Sequence, residues 1–195
     1  MRFVAGMSSS QKPLRWKKLG SRLLTRTRIF DVESTDFQHP THPAPRDFFL
    51  INPPDWVNVV AVTPEHELVL VRQFRFGTND ISLELPGGVM EAGEEPILAA
   101  TRELAEETGY VGERARLLGA IHPNPAMQTN RCHLVLVENA RRTQELAWDP
   151  NEEFEILTRP VEEVYASAYR GEITHSLVLN GLLLFRPHWE KLRVK

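Results

Sequence analysis

Three glutamates on one stretch set the chemistry this chain can do. Glu103, Glu106 and Glu107 fall in the run from Ile97 to Thr108, which is rich in Ala, Leu and Glu, all good helix formers. At about 100° per residue they share one helical face, with Ile97, Ala100 and Leu104 as an apolar stripe beside it. Like charges at i, i+3 and i+4 repel, by roughly 0.2–0.5 kcal/mol per pair on a bare helix. A divalent cation removes that repulsion, and oxygen ligands suit Mg²⁺ or Mn²⁺ better than zinc. A solvated acidic face has the same charge pattern. The neighbouring residues separate the two readings.

Leu85-Pro86-Gly87-Gly88 makes a turn, and a short acidic loop follows. Pro96 suits the first turn of a helix, and Gly109 sits where a left-handed stop is expected. From Gly88 onward the chain fits G-x5-E-x7-R-E-U-x-E-E-x-G-U, where U is apolar. The matches are Gly88, Glu94, Arg102, Glu103, Leu104, Glu106, Glu107, Gly109 and Tyr110. Its seven fixed identities would coincide by chance at on the order of one start in 10⁸. The stretch resembles the Nudix box, the signature of the Nudix hydrolases. Where this chain has Tyr110 the family more often has Ile, Leu or Val, and an aromatic ring can pack in the same place.

The resemblance implies the Nudix fold, an α/β (α+β) arrangement with a mixed β-sheet sandwiched between helices. It also implies hydrolysis of a nucleoside diphosphate linked to a further group. The bond broken is a phosphoanhydride, whose barrier comes largely from charge crowded on phosphoryl oxygens. Metal ions neutralise that charge, orient a bridging oxygen and activate water. On the resemblance, Glu103 and Glu107 bind metal with Glu106 close behind, and the carbonyl of Gly87 is a further ligand. Arg102 orients the catalytic carboxylates by ion pairing, or else makes only a surface pair with Glu106 worth about 0.3–0.5 kcal/mol. For Glu94 a loop-ordering contact is expected. In relatives that cleave ADP-ribose a glutamate in a later loop is implicated as the base that activates water. The candidates here are Glu153, then Glu152, with Glu155 beside them, against a plain exposed acidic loop.

The substrate branch is narrowed by residues outside the box. Pro125 lies 15 residues beyond Tyr110, and Val71–Gly77 (VRQFRFG) precedes the box. Both resemble the subgroup acting on ADP-ribose and other nucleoside diphosphate sugars. Arg75, and after it Arg72, would then contact phosphate or ribose through a fork that suits oxyanions, or else be exposed strand-end arginines. Arg131 and His133 belong to the substrate loop or are ordinary sheet-face residues, and His175 reaches a phosphate or is a capping or surface histidine. After Pro125 the chain reads Ala126-Met127-Gln128-Thr129-Asn130 where ADP-ribose enzymes often carry small and acidic residues, which leaves GDP-mannose and other sugar nucleotides open. Dinucleoside polyphosphates or nucleoside triphosphates are the alternative substrates, and a non-catalytic Nudix-fold sensor is the alternative class.

The remaining chain supplies the scaffold. Residues 1–52 read as a loose tail followed by antiparallel strands, and residues 53–195 as the Nudix domain. Relatives of the ADP-ribose group form dimers through their N-terminal strands, so a homodimer is expected through residues 21–51. Trp16 stacks on a substrate base or packs. Strands are expected at Val57–Val62, Leu68–Phe74, Ile81–Leu85, Ala115–His122, Cys132–Glu138 and Phe154–Thr158, with helices at Val161–Tyr169 and from an N-cap at Thr174 through Phe185. The net charge of −3 supplies no basic footprint for nucleic acid, and no apolar run reaches membrane-spanning length. The single Cys132 excludes an internal disulfide and fits a reducing cytoplasm.

Overall fold

The computed structural model describes residues 12–148 and 153–193. The chain divides into two compact units, Met1–Asn52 and Pro53–Lys195.

The first unit is an antiparallel meander of β1 (Lys17–Arg26), β2 (Asp31–Gln38) and β3 (Arg46–Asn52). At the β1–β2 turn the Thr27 hydroxyl accepts from the N–H groups of Ile29 and Phe30, so a polar side chain closes the hairpin. β1 is exposed along its whole length, and Leu19, Leu23, Leu24, Phe48 and Phe49 stay largely outside any core. Trp16 packs edge-on against His39 and Phe48, at 4.9 and 5.7 Å between ring centroids.

The second unit is built on a mixed sheet. Its strands β4 (Trp56–Val62), β5 (Glu67–Arg75), β8 (Arg114–Ile121), β9 (Cys132–Glu138) and β11 (Glu155–Pro160) run in the order β11-β5-β4-β9-β8, and β6 (Asp80–Glu84) pairs with β5. β4 and β9 are parallel; the other pairings are antiparallel. The apolar run Val59–Val62 of β4 follows from burial on both faces. Val57, Val59 and Ala61 pack with Ala99, Ala100 and Leu104 of α1 (Pro96–Thr108). Val60 and Val62 pack on the opposite face with residues of α2 (Val161–Tyr169) and α3 (Ser176–Leu192), including Val164, Val178 and Phe185. Alternation along one strand thus joins helices on both sides of the sheet.

Some details depart from the sequence reading. Ile97 is exposed and Ala99 takes its place, because two small residues let α1 lie close to β4. The cap of α3 is His175 rather than Thr174, without a side-chain hydrogen bond. This helix also runs past Phe185, through Pro187, because Trp189 is buried and its indole donates to Glu162 at 2.7 Å. A two-residue ladder joins β7 (Tyr110–Val111) to β10 (Arg141–Arg142), too short to carry a periodic signal. Among the described residues, no helix is long and apolar enough to cross a membrane.

Candidate active site

Two backbone features bring the glycine turn to the helix. Val59 and Val57 of β4 donate to the carbonyls of Pro86 and Gly88, at 2.8 and 2.9 Å, which ties the turn to the start of the central strand. Gly87 has no room for a side chain, and one on Gly88 would have to displace the Glu103 carboxylate. A Cβ on Gly87 would collide with the Val57 carbonyl oxygen. The Gly87 N–H donates to the Glu107 carboxylate at 3.0 Å. Between the two engaged carbonyls, that of Gly87 accepts no backbone hydrogen bond among the described residues.

α1 presents the acids. Glu107 is buried at 4% exposure, which water alone would not compensate, and the Gly87 N–H is one of its partners. Arg102 ties the other carboxylates together. Its Nε and one terminal nitrogen fork onto Glu94 at 3.0 and 2.9 Å, and its second terminal nitrogen donates to Glu103 at 2.8 Å and Glu106 at 3.0 Å. It also donates to the Val89 carbonyl at 3.3 Å. Hydrogen bonding to Glu94 first, then to Glu103 and Glu106, holds the guanidinium firmly charged against the opposing effect of partial burial. The same bond from Arg102 pulls Glu94 below the ordinary carboxylate range. Glu94 also accepts from the Glu91 N–H at 2.9 Å, so it orders the acidic loop and ties it to the helix.

These residues form one connected set: Gly87, Gly88, Glu94, Arg102, Glu103, Glu106 and Glu107. All the donors offered are oxygens, the set a hard divalent cation prefers. No three acid, imidazole or thiol side chains converge on one point among the described residues, and Arg102 engages one oxygen of Glu103 and one of Glu106. The donor chemistry and the close-packed glycine cradle fit a divalent cation.

The arginines ahead of the box lie on β5, and each is paired. Arg75 forks onto Glu84 through Nε and a terminal nitrogen at 2.8 and 2.6 Å, and one terminal nitrogen of Arg72 donates to both Glu155 oxygens at 3.1 and 2.9 Å. Glu84 is 1% exposed, and burial pushes its pKa up. The hydrogen bonds and charge of Arg75, with His175 3.7 Å away, outweigh that and hold it below the usual range. Burial lowers the His175 pKa despite Glu84. Pro125 is exposed in a turn closed by Met127 and Gln128 N–H groups on the Asn124 carbonyl, and Arg131 follows just before β9. Glu153 is exposed, and Glu152 lies outside the described residues.

Three residues at or near the site carry no sequence signal. Glu84 anchors Arg75. Asp55 accepts from the Arg131 N–H at 2.8 Å and pairs with His133 at 3.0 Å. Burial pushes the Asp55 pKa up, and these two bonds bring it below its ordinary value. Trp148 donates from Nε1 to the Glu107 carbonyl at 2.7 Å. These contacts join residues 9 to 78 apart in sequence, so no local pattern announces them.

A mixed sheet between helices, one of them carrying an acid set against a glycine turn, defines the class: α/β/α proteins with a carboxylate-bearing helix packed on the sheet. The chain belongs to the Nudix family, since the NUDIX domain matches residues 53–178, and it is a Nudix hydrolase. Hydrolases of this family generally need a divalent metal ion. The chain is 32% identical over 127 residues to the ADP-ribose pyrophosphatase of Bacillus subtilis, covering 65% of this chain and 68% of that protein. It is 44% identical over 87 residues to the ADP-sugar pyrophosphatase of Mus musculus, covering 43% and 40%. A crystal structure of an ADP compounds hydrolase superposes with a TM-score of 0.81 at 22% identity, over 94% of this chain and 98% of that one.

Proposed function

We propose that this enzyme hydrolyses the pyrophosphate linkage of nucleoside diphosphate sugars of the ADP-ribose and GDP-mannose type. The products are a nucleoside monophosphate and a sugar 1-phosphate, or ribose 5-phosphate from ADP-ribose. The working cation is Mg²⁺, with Mn²⁺ able to replace it. The observation that carries the reading is the acid set of α1, laid against Gly87-Gly88 and tied by Arg102, in a chain similar to ADP-ribose and ADP-sugar pyrophosphatases.

Glu103, Glu106, Glu107 and the Gly87 carbonyl would hold the cation, which when bound supplies charge neutralisation on the diphosphate and makes water a better nucleophile. The Gly87 N–H fixes the direction of the Glu107 carboxylate, and Arg102 keeps the acidic loop and the helix in register. Arg75 and Arg72 exchange carboxylate oxygens for phosphate oxygens, two of which a guanidinium can meet with paired N–H groups. Pro125 and Arg131 border the sugar. Glu153, with Glu152 as the second candidate, takes the proton of the attacking water.

The test is a substrate panel of ADP-ribose, GDP-mannose, UDP-glucose, diadenosine polyphosphates and nucleoside triphosphates, assayed with Mg²⁺ and with Mn²⁺. Preference for a sugar nucleotide is expected. Preference for triphosphates or dinucleoside polyphosphates would end this reading.

The first unit, residues 1–52, is proposed to serve as a homodimer contact, because exposed Leu23 and Phe49 belong to a sheet that buries little by itself. Light scattering should give a dimer mass for the wild type and a monomer mass for a Leu23→Asp, Phe49→Asp double variant. A cytoplasmic location fits the single cysteine: Cys132 is buried, and that burial pushes its thiol up to about 12. No nucleic-acid or membrane partner is proposed.

A further inference from the structure

The last turn of α1 is held from outside the helix, and we propose that Trp148 is a positioning residue for the cation ligand Glu107. The proposal rests on the role given to Glu107 above. The closing carbonyls of a helix have no partners within it, and α1 carries no basic residue in its last turn to meet them. The Gly109 N–H reaches back to the Ala105 carbonyl at 2.8 Å. The next two carbonyls are met from a segment some forty residues on. The Ala147 N–H donates to Glu106 at 2.9 Å, and the Trp148 indole donates to Glu107 at 2.7 Å.

That segment is itself anchored. The N–H groups of Thr143 and Gln144 both donate to the Gly109 carbonyl, at 2.9 and 3.1 Å. Gly109 permits the approach in two ways. It adopts the left-handed φ of 73° that ends the helix, and a Cβ there would meet the Gln144 carbonyl oxygen at 2.5 Å. The Trp148 ring is seated edge-on against buried Phe154, with centroids 5.6 Å apart.

Glu107 is therefore gripped at both ends: its carboxylate by the Gly87 N–H and its backbone by Trp148. If the last turn frays, the carboxylate leaves the Gly87 amide and the donor set opens. A cation that binds only the formed turn loses affinity in proportion to the fraction formed. Removing the indole donor should thus weaken cation binding while leaving the cation-saturated enzyme almost as fast.

The experiment measures Mn²⁺ binding by electron paramagnetic resonance of the free ion, in wild type, Glu107→Gln and Trp148→Phe. Phenylalanine keeps a ring against Phe154 and removes the N–H. Mn²⁺ binding is expected to weaken about fivefold to tenfold in Trp148→Phe, with kcat at saturating Mn²⁺ within about twofold of wild type. Phe154→Leu, which keeps the donor but loosens its seat, is expected to weaken binding by a smaller factor, and it carries the test if Trp148→Phe does not fold. Unchanged Mn²⁺ affinity in the variant used overturns the proposal. So does a lower kcat at every Mn²⁺ concentration without a change in affinity. A wild-type Mn²⁺ site that survives Glu107→Gln removes instead the role of Glu107 on which the proposal stands.

Discussion

Replacing Arg102 by lysine keeps the charge and changes only the geometry. Arginine meets Glu94 with two nitrogens and Glu103 and Glu106 with the third. A lysine ammonium is a single point of charge and cannot hold the loop acid and the helix acids together. Hydrogen bonds to charged groups contribute about 1.5–3 kcal/mol each when sheltered, and exposed ion pairs about 0–1. The Arg102 side chain is 28% exposed and those of Glu94 and Glu103 15% and 14%, which puts this network between the two limits. With the equivalent of about two bonds lost, Arg102→Lys should cost roughly 1–3 kcal/mol. For a chain of this length each kcal/mol lowers Tm by about 2–4 °C, so a fall of roughly 2–12 °C is expected in the metal-free protein. Differential scanning fluorimetry in EDTA and then in Mg²⁺ reads it directly. The variant should also gain less stability from Mg²⁺, because Glu103 is no longer held against Gly88. A wild-type Tm together with a wild-type Mg²⁺ response would refute the reasoning.

Further outcomes follow from the same contacts. Glu107→Gln keeps an oxygen to accept from Gly87 and loses the charge, so kcat should fall about 10²-fold or more with the fold intact by circular dichroism; unchanged Mg²⁺-dependent turnover would remove Glu107 from the chemistry. Glu94 has a folded pKa lowered chiefly by Arg102, so its contribution to stability is complete above the unfolded value of about 4.3 and is lost as pH falls through the lower folded value. Arg102→Ala should flatten that acid loss in urea melts below about pH 4.3. Arg75→Ala leaves Glu84 buried without its fork, at a cost of about 3 kcal/mol near neutral pH by urea unfolding. Burial then raises the Glu84 pKa above its unfolded value, so this deficit should shrink as pH falls and the carboxylate takes up a proton.

The box was legible because its chemistry demands given residue types at given helical spacings. Glu103, Glu106 and Glu107 must share a face, Pro96 and Gly109 must bound the helix, and each requirement is local. The central strands were legible for a similar reason, since burial on both faces leaves the apolar runs Val59–Val62 in β4 and Leu134–Val137 in β9. Helix α3 was read as ending at Phe185, and the buried Trp189 explains why it continues through Pro187.

What the linear order could not decide was which charge faces which. Arg75 and Arg72 looked ready for phosphate, yet folding gives each a carboxylate, Glu84 across a neighbouring strand and Glu155 from the far end of the chain. Arg102 was open between a minor surface pair and an organising role, and its four carboxylate bonds appear only once the loop bearing Glu94 folds back over α1. Side-chain types and helical periodicity are written in the sequence because they depend on near neighbours. Ion pairing and the capping of α1 by Trp148 depend on segments that meet only when the sheet assembles, so tertiary structure alone decided them.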